Sequence, residues 1–446
     1  MTIQGRLSNS TMEFSDEFLS ALSVMESGRK NLFITGRAGT GKSTLLSYFK
    51  SVTKRKVAVL APTGVAALNV KGQTIHSFCR FKPDITLEKV VRLQGVSYAA
   101  ISMYRSIETI IIDEISMVRA DLLDCLDRFM RLNGMNPDLP FGGAQVILIG
   151  DLYQLPPVVS DDERKIFEGP YRSAYFFDSN VFGEISLEYI ELKRYYRHSD
   201  PQFIRLLNAI RDNTASEEDL RMINSRHDES FSSALAESMY ITLTTTNRLA
   251  DAINSRHLGI IPKPEHAYAA EIDGKFSRNA YPGDETLILK EDSQVMMLNN
   301  DQEKRWVNGS LARVVSVEGG GPKGSDRIVV ELADGNSAQV APYTWKASRL
   351  SYDQQNRKIV STETGSFTQY PLTLAWAVTI HKSQGKTFDR VIIDLGEGTF
   401  AHGQLYVALS RCTTLEGIVL KRKLQMKDII TDERIAQFHK MHFGKA

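Results

Sequence analysis

Cysteine is scarce. The chain has three in 446 residues, Cys79, Cys125 and Cys412, far apart and without metal-ligand spacing. That excludes a disulfide framework and a zinc module, and the three read as reduced thiols in an intracellular protein. Long apolar runs are missing too: stretches such as Ala144 to Ile149 fall far short of the roughly 20 residues a membrane helix needs. The first residues, MTIQGRLSNSTMEF, carry no apolar signal core. Neither sign of charge dominates. A net charge of +1 excludes a bulk polycation, so any polyanionic partner must be held by a local basic stripe. Long repeats and low-complexity tracts are also lacking. The expectation is a soluble protein that stays inside the cell.

What is present reads as globular. Hydrophobic residues make up 42% of the chain and charged residues 24%, an ordinary balance for a folded soluble protein. The length exceeds one ordinary core, which predicts roughly two or three domains.

The densest chemical signal is Gly36 to Thr44, GRAGTGKST, set between the strand-like NLFIT and the helix-like LLSYF. Strand, glycine-rich turn and helix, with Gly36, Gly41, Lys42 and Ser43 at the fixed positions, is the phosphate-loop pattern. The chemistry asks for these residue types. Gly36, Gly39 and Gly41 let the backbone wrap a polyphosphate, and Ala38, Thr40 and Thr44 complete the cradle. Lys42 places a compact charge on the β and γ phosphates, and the Ser43 hydroxyl can ligate Mg²⁺. An accidental match in a glycine-rich turn is the bland alternative, and the flanking strand and helix disfavour it.

Three further apolar runs read as buried strands: KVAVLA, ending at Pro62-Thr63-Gly64; TIII, running into Asp113-Glu114; and QVILI, running into Gly150-Asp151. Such runs separated by helical stretches predict a doubly wound parallel sheet, with ligands at the carboxyl ends of its strands. Thr63, Asp113, Glu114, Asp151 and Gln154 all fall there. Asp113 can hold Mg²⁺, Glu114 can polarise an attacking water, and Gln154 can reach a γ-phosphate across a domain gap. A second strand–helix series begins near Leu187. From about Met297 to Thr373 the pattern shifts to short strands with turns such as GGGP and DGN, which predicts a small antiparallel insertion. The expected fold is α/β, divided into residues 1–184, residues 185–296 with 374–446, and the insertion 297–373.

The ordered set GRAGTGKST, APTGVAA, GQTIHSF, DEISM, FGGAQVILIGDLYQLPPV, YYRHSDPQF, TTTNRLAD, AVTIHKSQGKTFDRV and YVALSRCT resembles the Pif (petite integration frequency) DNA helicases. These are relatives of the RecD-like helicases in helicase superfamily one. The likeness runs from Ser15 to Leu420, and TIHKSQG and LYVALSR are far more specific than a phosphate loop. It implies two RecA-like P-loop domains with parallel sheets, ATP and Mg²⁺ between them, an SH3-like β insertion in the second, and single-stranded DNA across the top. It also implies movement from 5′ to 3′.

Carried over residue by residue, the resemblance makes Arg197 and Arg411 the two arginine fingers and brings Gly385 to the nucleotide. It turns Pro62, Thr63, Gly64, His76, Ser77, Thr246, Asn247, His381, Lys382 and Ser383 toward the DNA strand. Hydroxyls, amides and N–H groups there bind phosphate without reading sequence. A wedge that splits the duplex is expected in the loop near 65–80, centred on Val65 to Gly72. Phe78 and Tyr153 are better core residues than base platforms, and Trp306, Trp345 and Trp376 read as packing. One departure stands out. Phe18 occupies the place where the family usually carries an adenine-reading glutamine, which leaves Gln4 or a backbone group for that task.

The function these expectations add up to is ATP-dependent unwinding of tailed or forked duplex from a single-stranded DNA track. The resemblance extends the substrates to G-quadruplex DNA and RNA–DNA hybrids, and the processes to DNA repair, recombination and telomere maintenance. A monomer when free, in a bacterial or phage cytoplasm and associated with the nucleoid, is expected, with no membrane partner. The same residues admit a DNA-stimulated ATPase that remodels protein–DNA complexes without separating strands. A binding module with negligible turnover is opposed by Glu114 and the two fingers.

Overall fold

The strand β1 (Asn31–Gly36) is buried from its second residue onward, as an unbroken apolar run requires of a central parallel strand. It is part of a computed structural model that describes residues 14–82, 84–159, 167, 171–196, 200–231, 239–319, 326–353 and 358–444. β1 joins β2 (Val57–Ala61), β3 (Gln73–Thr74), β4 (Thr109–Ile112), β5 (Gln145–Ile149) and β6 (Leu187–Leu192) in one sheet of order β3-β2-β4-β5-β1-β6, parallel throughout. One face packs on the helices Asp16–Ser27 and Lys42–Val52. The first of these starts where expected, the Ser15 hydroxyl accepting from Phe18 N–H, and ends at Gly28 in the left-handed region.

β6 corrects the expected boundary at 184, because it pairs with β1 from Asn31↔Leu187 to Gly36↔Leu192. Its alternating sequence leaves five of its six residues half-buried, so nothing local marks which sheet it joins. The segment 65–80 is also not the open loop expected. Thr63 caps a helix, Gly64–Asn69, and Thr74 caps a second, Ile75–Cys79, because hydroxyls at both N-caps satisfy the first turns. Val65 remains exposed on the first of them.

The second parallel sheet starts with β7 (Ile241–Thr244). The chain then leaves it for antiparallel strands: β8 (His266–Ala269), β9 (Glu271–Gly274), β10 (Thr286–Leu289), β11 (Gln294–Met297), β12 (Leu311–Glu318), β13 (Arg327–Leu332), β14 (Ser337–Val340), β15 (Tyr343–Asp353), β16 (Lys358–Gln369) and β17 (Leu372–Leu374). Five of them form a sheet of order β14-β13-β12-β11-β17 around a core of their own that includes Leu287, Trp306 and Tyr370. The long ribbon β15–β16 pairs with β9 and packs β15 on the helix Tyr98–Ser106. Antiparallel structure therefore begins at His266 and not at 297, since β8 and β9 are short and too exposed to show an apolar run. β18 (Ala377–Thr379), β19 (Val391–Asp394) and β20 (Ile418–Leu420) return to the second sheet, ordered β18-β7-β19-β20 and parallel.

The last helix, Glu433–Phe443, crosses back to the first sheet. Phe438 stacks on Phe177 at 4.6 Å and lies within 6.3 Å of Phe33, Phe176, Phe182 and Tyr189. Residues 433–443 thus pack with the first α/β unit, against the expected division, because aromatic partners far away in sequence decide where an amphipathic helix docks. All three cysteines are buried and unbridged. Among the described residues no helix is long and apolar enough to cross a membrane.

Phe438→Ala should destabilise the fold by about 3–5 kcal/mol, the usual cost of emptying a buried aromatic site, and lower Tm by several degrees. A melting curve superimposable on that of the parent chain would show that this cluster does not hold the helix.

Candidate nucleotide and nucleic-acid sites

Gly36 ends β1 where a side chain has no room: an added Cβ would lie 2.5 Å from Thr40 Oγ1 and 2.7 Å from the Leu192 carbonyl. Gly41 caps the helix Lys42–Val52 at φ 90°, a conformation open to glycine. The turn so formed walls a cavity of about 250 Å³ lined by Ala38 through Thr44, Glu114, Gln154, Tyr196, Gly385 and Arg411. Residues from the ends of both parallel sheets therefore face one space, with a helix N-terminus at its floor. Lys42 Nζ donates to the carbonyls of Gly36 and Arg37. Desolvation lowers its pKa, and Asp151, Glu114 and Asp113 oppose that shift.

The two acids sit beside each other at the end of β4. Asp113 is buried, its N–H bonded to Leu60 O at 2.9 Å. Glu114 takes φ 51°, a left-handed turn unusual for its type. Burial raises both carboxyls, and with the Asp113 charge as second cause Glu114 is pushed up to about 7. Gln384 reaches this pair from the second sheet, its Nε2 donating to Glu114 Oε2 at 3.1 Å and to Gln154 Oε1 at 3.4 Å. Gln154 in turn donates to Asp151 Oδ2 at 3.1 Å. Asp151 faces Arg211 at 3.6 Å, an ion pair with both side chains almost wholly buried. The Arg211 guanidinium lies 3.9 Å over the Tyr153 ring.

Arg411 is 1% exposed. Its Nε donates to Val407 O at 3.0 Å, Nη2 to Ser410 Oγ at 2.8 Å, and Nη1 to Lys386 O at 3.2 Å and Ser383 O at 3.5 Å. These acceptors hold the guanidinium in the wall of the cavity. Arg197 lies outside the described residues.

The donor set suits Mg²⁺. That ion keeps most of its waters and takes one or two protein oxygens plus substrate phosphate. Ser43, which lines the cavity, and Asp113, which precedes the lining residue Glu114, would offer such a pair. Among the described residues no three His, Cys, Asp or Glu side chains form a protein cage.

The residues expected to face DNA lie at the same carboxyl edge of the two sheets. Pro62, Thr63 and Gly64 follow β2, with His76 and Ser77 on the next helix; Thr246 and Asn247 follow β7; His381 and Lys382 follow β18. Thr63, Ser77, Thr246, Asn247 and Lys382 are exposed. The Thr63 and Thr246 hydroxyl oxygens accept from Ala66 N–H at 3.2 Å and Leu249 N–H at 3.3 Å, which leaves the hydroxyl hydrogens to donate outward. Burial lowers His76 and His381, so both favour the neutral ring.

Ser383 departs from the expectation. It is fully buried and its hydroxyl donates to Ile380 O at 2.7 Å, bracing the turn. Phe78 and Tyr153 are core residues, as are the three tryptophans. Phe18 packs between Phe14 and Tyr48 and is 3% exposed, away from the cavity.

Sequence reasoning did not single out Tyr196, Gln384 or Arg211. Tyr196 is 52% exposed at the cavity and its N–H bonds Gly39 O at 2.9 Å; the doubled aromatic of YYR was a usable signal. Gln384 stood inside the TIHKSQG motif. Arg211 ends an amphipathic helix and had no local signal at all.

Comparison with known proteins places these observations. A family model described as PIF1-like helicase matches residues 12–221, and one described as UvrD-like helicase C-terminal domain matches 374–419. The ATP-dependent DNA helicase Pif1 of Bdellovibrio bacteriovorus is 32% identical over 99% of this chain and 95% of its own length. Of longer yeast and rat relatives the chain spans 65%. The crystal structure of Bacteroides sp. Pif1 in complex with ADP-AlF4 superposes with a TM-score of 0.87 at 37% identity, covering 97% of each chain. Bacteroides Pif1 bound to single-stranded DNA superposes at 0.70 with 36% identity, covering 96% of this chain and 97% of that one. With likeness of this extent in sequence and in fold, the chain belongs to the PIF1-like helicases.

Proposed function

We propose that the chain is an ATP-dependent DNA helicase that moves 5′ to 3′ on single-stranded DNA and separates tailed or forked duplex. The observation that carries this reading is the shared cavity. Lys42, Glu114 and Gln154 come to it from the first sheet and Gly385 and Arg411 from the second, so nucleotide bound there would be sensed by both sheets at once. The polarity rests on family membership alone.

The functional units follow the sheets: residues 14–192 with the helix 433–443, residues 200–260 with 375–424, and the antiparallel insertion 266–374. Lys42 and the loop N–H groups bind the phosphates. Ser43 and Asp113 would hold Mg²⁺, which supplies charge neutralisation at the β and γ oxygens. Glu114, with its carboxyl raised by burial, is poised to take a proton from the attacking water. Arg411 lines the same cavity, and its planar guanidinium would reach the charge that develops on the γ-phosphate by exchanging some of the carbonyl and hydroxyl bonds that hold it. The exposed ring of Tyr196 offers a flat face for the base, which Phe18 cannot. Alternating closure of the cleft changes which sheet grips DNA phosphate more tightly, and so moves the strand. The site of action is the cytoplasm, at the nucleoid.

A strand-separation assay on 5′-tailed duplex tests the central claim; ATP turnover stimulated by DNA with no strand release would favour the remodelling translocase instead. Lys42→Ala should abolish turnover and leave affinity for single-stranded DNA largely intact, because loop and DNA-facing residues occupy different surfaces. Equal loss of both would mean a shared site. DNA affinity should fall with salt at a log–log slope of about −0.7 per phosphate contact, and a flat dependence would make stacking dominant.

Arg411→Ala removes four hydrogen bonds and should melt early whatever its role, so Arg411→Lys is the decisive variant. It should lower kcat by about 10³-fold, with little change in ATP affinity, since one ammonium cannot replace the fork. A near-normal kcat would remove the finger role from Arg411 and leave it to Arg197.

A further inference from the structure

The turn that carries Gln384 meets the antiparallel insertion at Lys386. Its Nζ donates to Asn308 Oδ1 at 2.6 Å. Asn308 lies between β11 and β12 and is itself held, its N–H donating to Asn300 Oδ1 at 2.8 Å. The adjoining Gly309 has φ 102°, and a Cβ added there would lie 3.5 Å from Cβ and Cγ of Lys386. Head and stem of the lysine thus rest on one loop of the insertion. Burial pulls Lys386 down to about 8, whereas a methionine would fill the same space with no charge to desolvate. Simple packing is a poor reason for a lysine here.

Carbonyls and one side chain of the same turn hold the nucleotide-facing groups. Lys386 O and Ser383 O accept from Arg411, and Gln384 bonds Glu114 and Gln154. Its opening residues, His381 and Lys382, sit on the DNA-facing edge. Six consecutive residues therefore touch the DNA edge, the catalytic pair, the finger and the insertion.

We propose that the Lys386–Asn308 bond pins this turn to the insertion, so that phosphate contact at His381 and Lys382 is transmitted to Gln384 and Arg411 instead of being absorbed by bending. Lys386 and Asn308 position the turn for coupling DNA contact to ATP turnover, and DNA stimulation, not the DNA-free rate, is the quantity they set. The proposal rests on the finger reading of Arg411 and deepens it.

The test uses the full chain and saturating oligothymidylate. Asn308→Leu removes the acceptor; it should lower DNA-stimulated kcat about tenfold, the scale of one hydrogen bond to a charged group, and leave the DNA-free rate unchanged. Asn308→Asp keeps an acceptor and should stay near the parent rate. Lys386→Met should lose stimulation to the same extent, the double variant no further, and Tm should not fall, since an apolar stem replaces a buried amine. Unchanged stimulation in Asn308→Leu overturns the proposal. So does a fall of Tm and of the DNA-free rate together, which marks a structural role. A flatter salt dependence of DNA affinity in Lys386→Met would make the lysine a phosphate contact and overturn it as well. Failure of the finger reading shows elsewhere, as full kcat in Arg411→Lys.

Discussion

Gln384 donates across the cleft to Glu114 and Gln154, and the catalytic geometry depends on that crossing. Each parallel sheet alone presents half a site: a phosphate loop with two acids, or an arginine held by carbonyls. A primary amide suits the junction because it offers hydrogens to two acceptors and brings no net charge beside the phosphates. A lysine there would neutralise Glu114 and draw its proton affinity down. An aspartate would add a third carboxylate beside a pair already raised by burial and, at Glu114, by the Asp113 charge as well.

Charge around the cleft is balanced by burial in pairs. Lys42 lies among Asp151, Glu114 and Asp113, and Asp151 faces Arg211. Arg211 has its charged form favoured by Asp151 against the cost of desolvation. Breaking a buried pair of this kind strands one ion and destabilises by about 3–5 kcal/mol, so Arg211 is tied to the fold as well as to the site. Arg211 Nη1 also donates to Asp212 Oδ1 at 2.9 Å, and the ring of Tyr153 beneath the guanidinium supplies a polarisable face. Tyr153 is therefore fixed by the arginine above it and is not available to stack a base.

What could be read from sequence was what strand ends encode locally. Asp113, Glu114, Asp151 and Gln154 follow apolar runs directly, and a run of that kind specifies both a buried strand and the edge at which it stops. Partners chosen over long distances left no such mark. β6 looks like the start of a new unit, and only its pairing with β1 shows otherwise. Ser383 carries a hydroxyl beside His381 and Lys382, yet a turn one residue tighter gives it to Ile380 O. Arg211 looks like the solvated end of a helix until Asp151 and Tyr153 enclose it. Residues 65–80 look like loop because Gly72 and Gln73 interrupt them, whereas Thr63 and Thr74 cap two short helices.

The docking of Glu433–Phe443 on the first sheet constrains how the cleft can move. The chain enters that helix from β20 of the second sheet, through a segment held by Arg422 to Asp428 and by Asp428 to Gln425. Asp432 then bonds Tyr175 of the first unit, while its N–H donates to His402 Nδ1. With Nδ1 accepting, the proton of His402 must sit on Nε2, which makes Nε2 the donor to Leu152 O. Asp432 and His402 thus bridge the two sheets from one side, and Tyr406, accepting from Ala38 N–H, bridges them at the phosphate loop. A rigid separation of the sheets would break all three contacts and leave buried groups unpaired. The same separation would also break the Gln384 bonds to Glu114 and Gln154 and part Arg211 from Asp151. The two sheets are therefore joined both beside Asp432 and His402 and at the phosphate loop, so a change at the loop can reach the second sheet through bonded contacts.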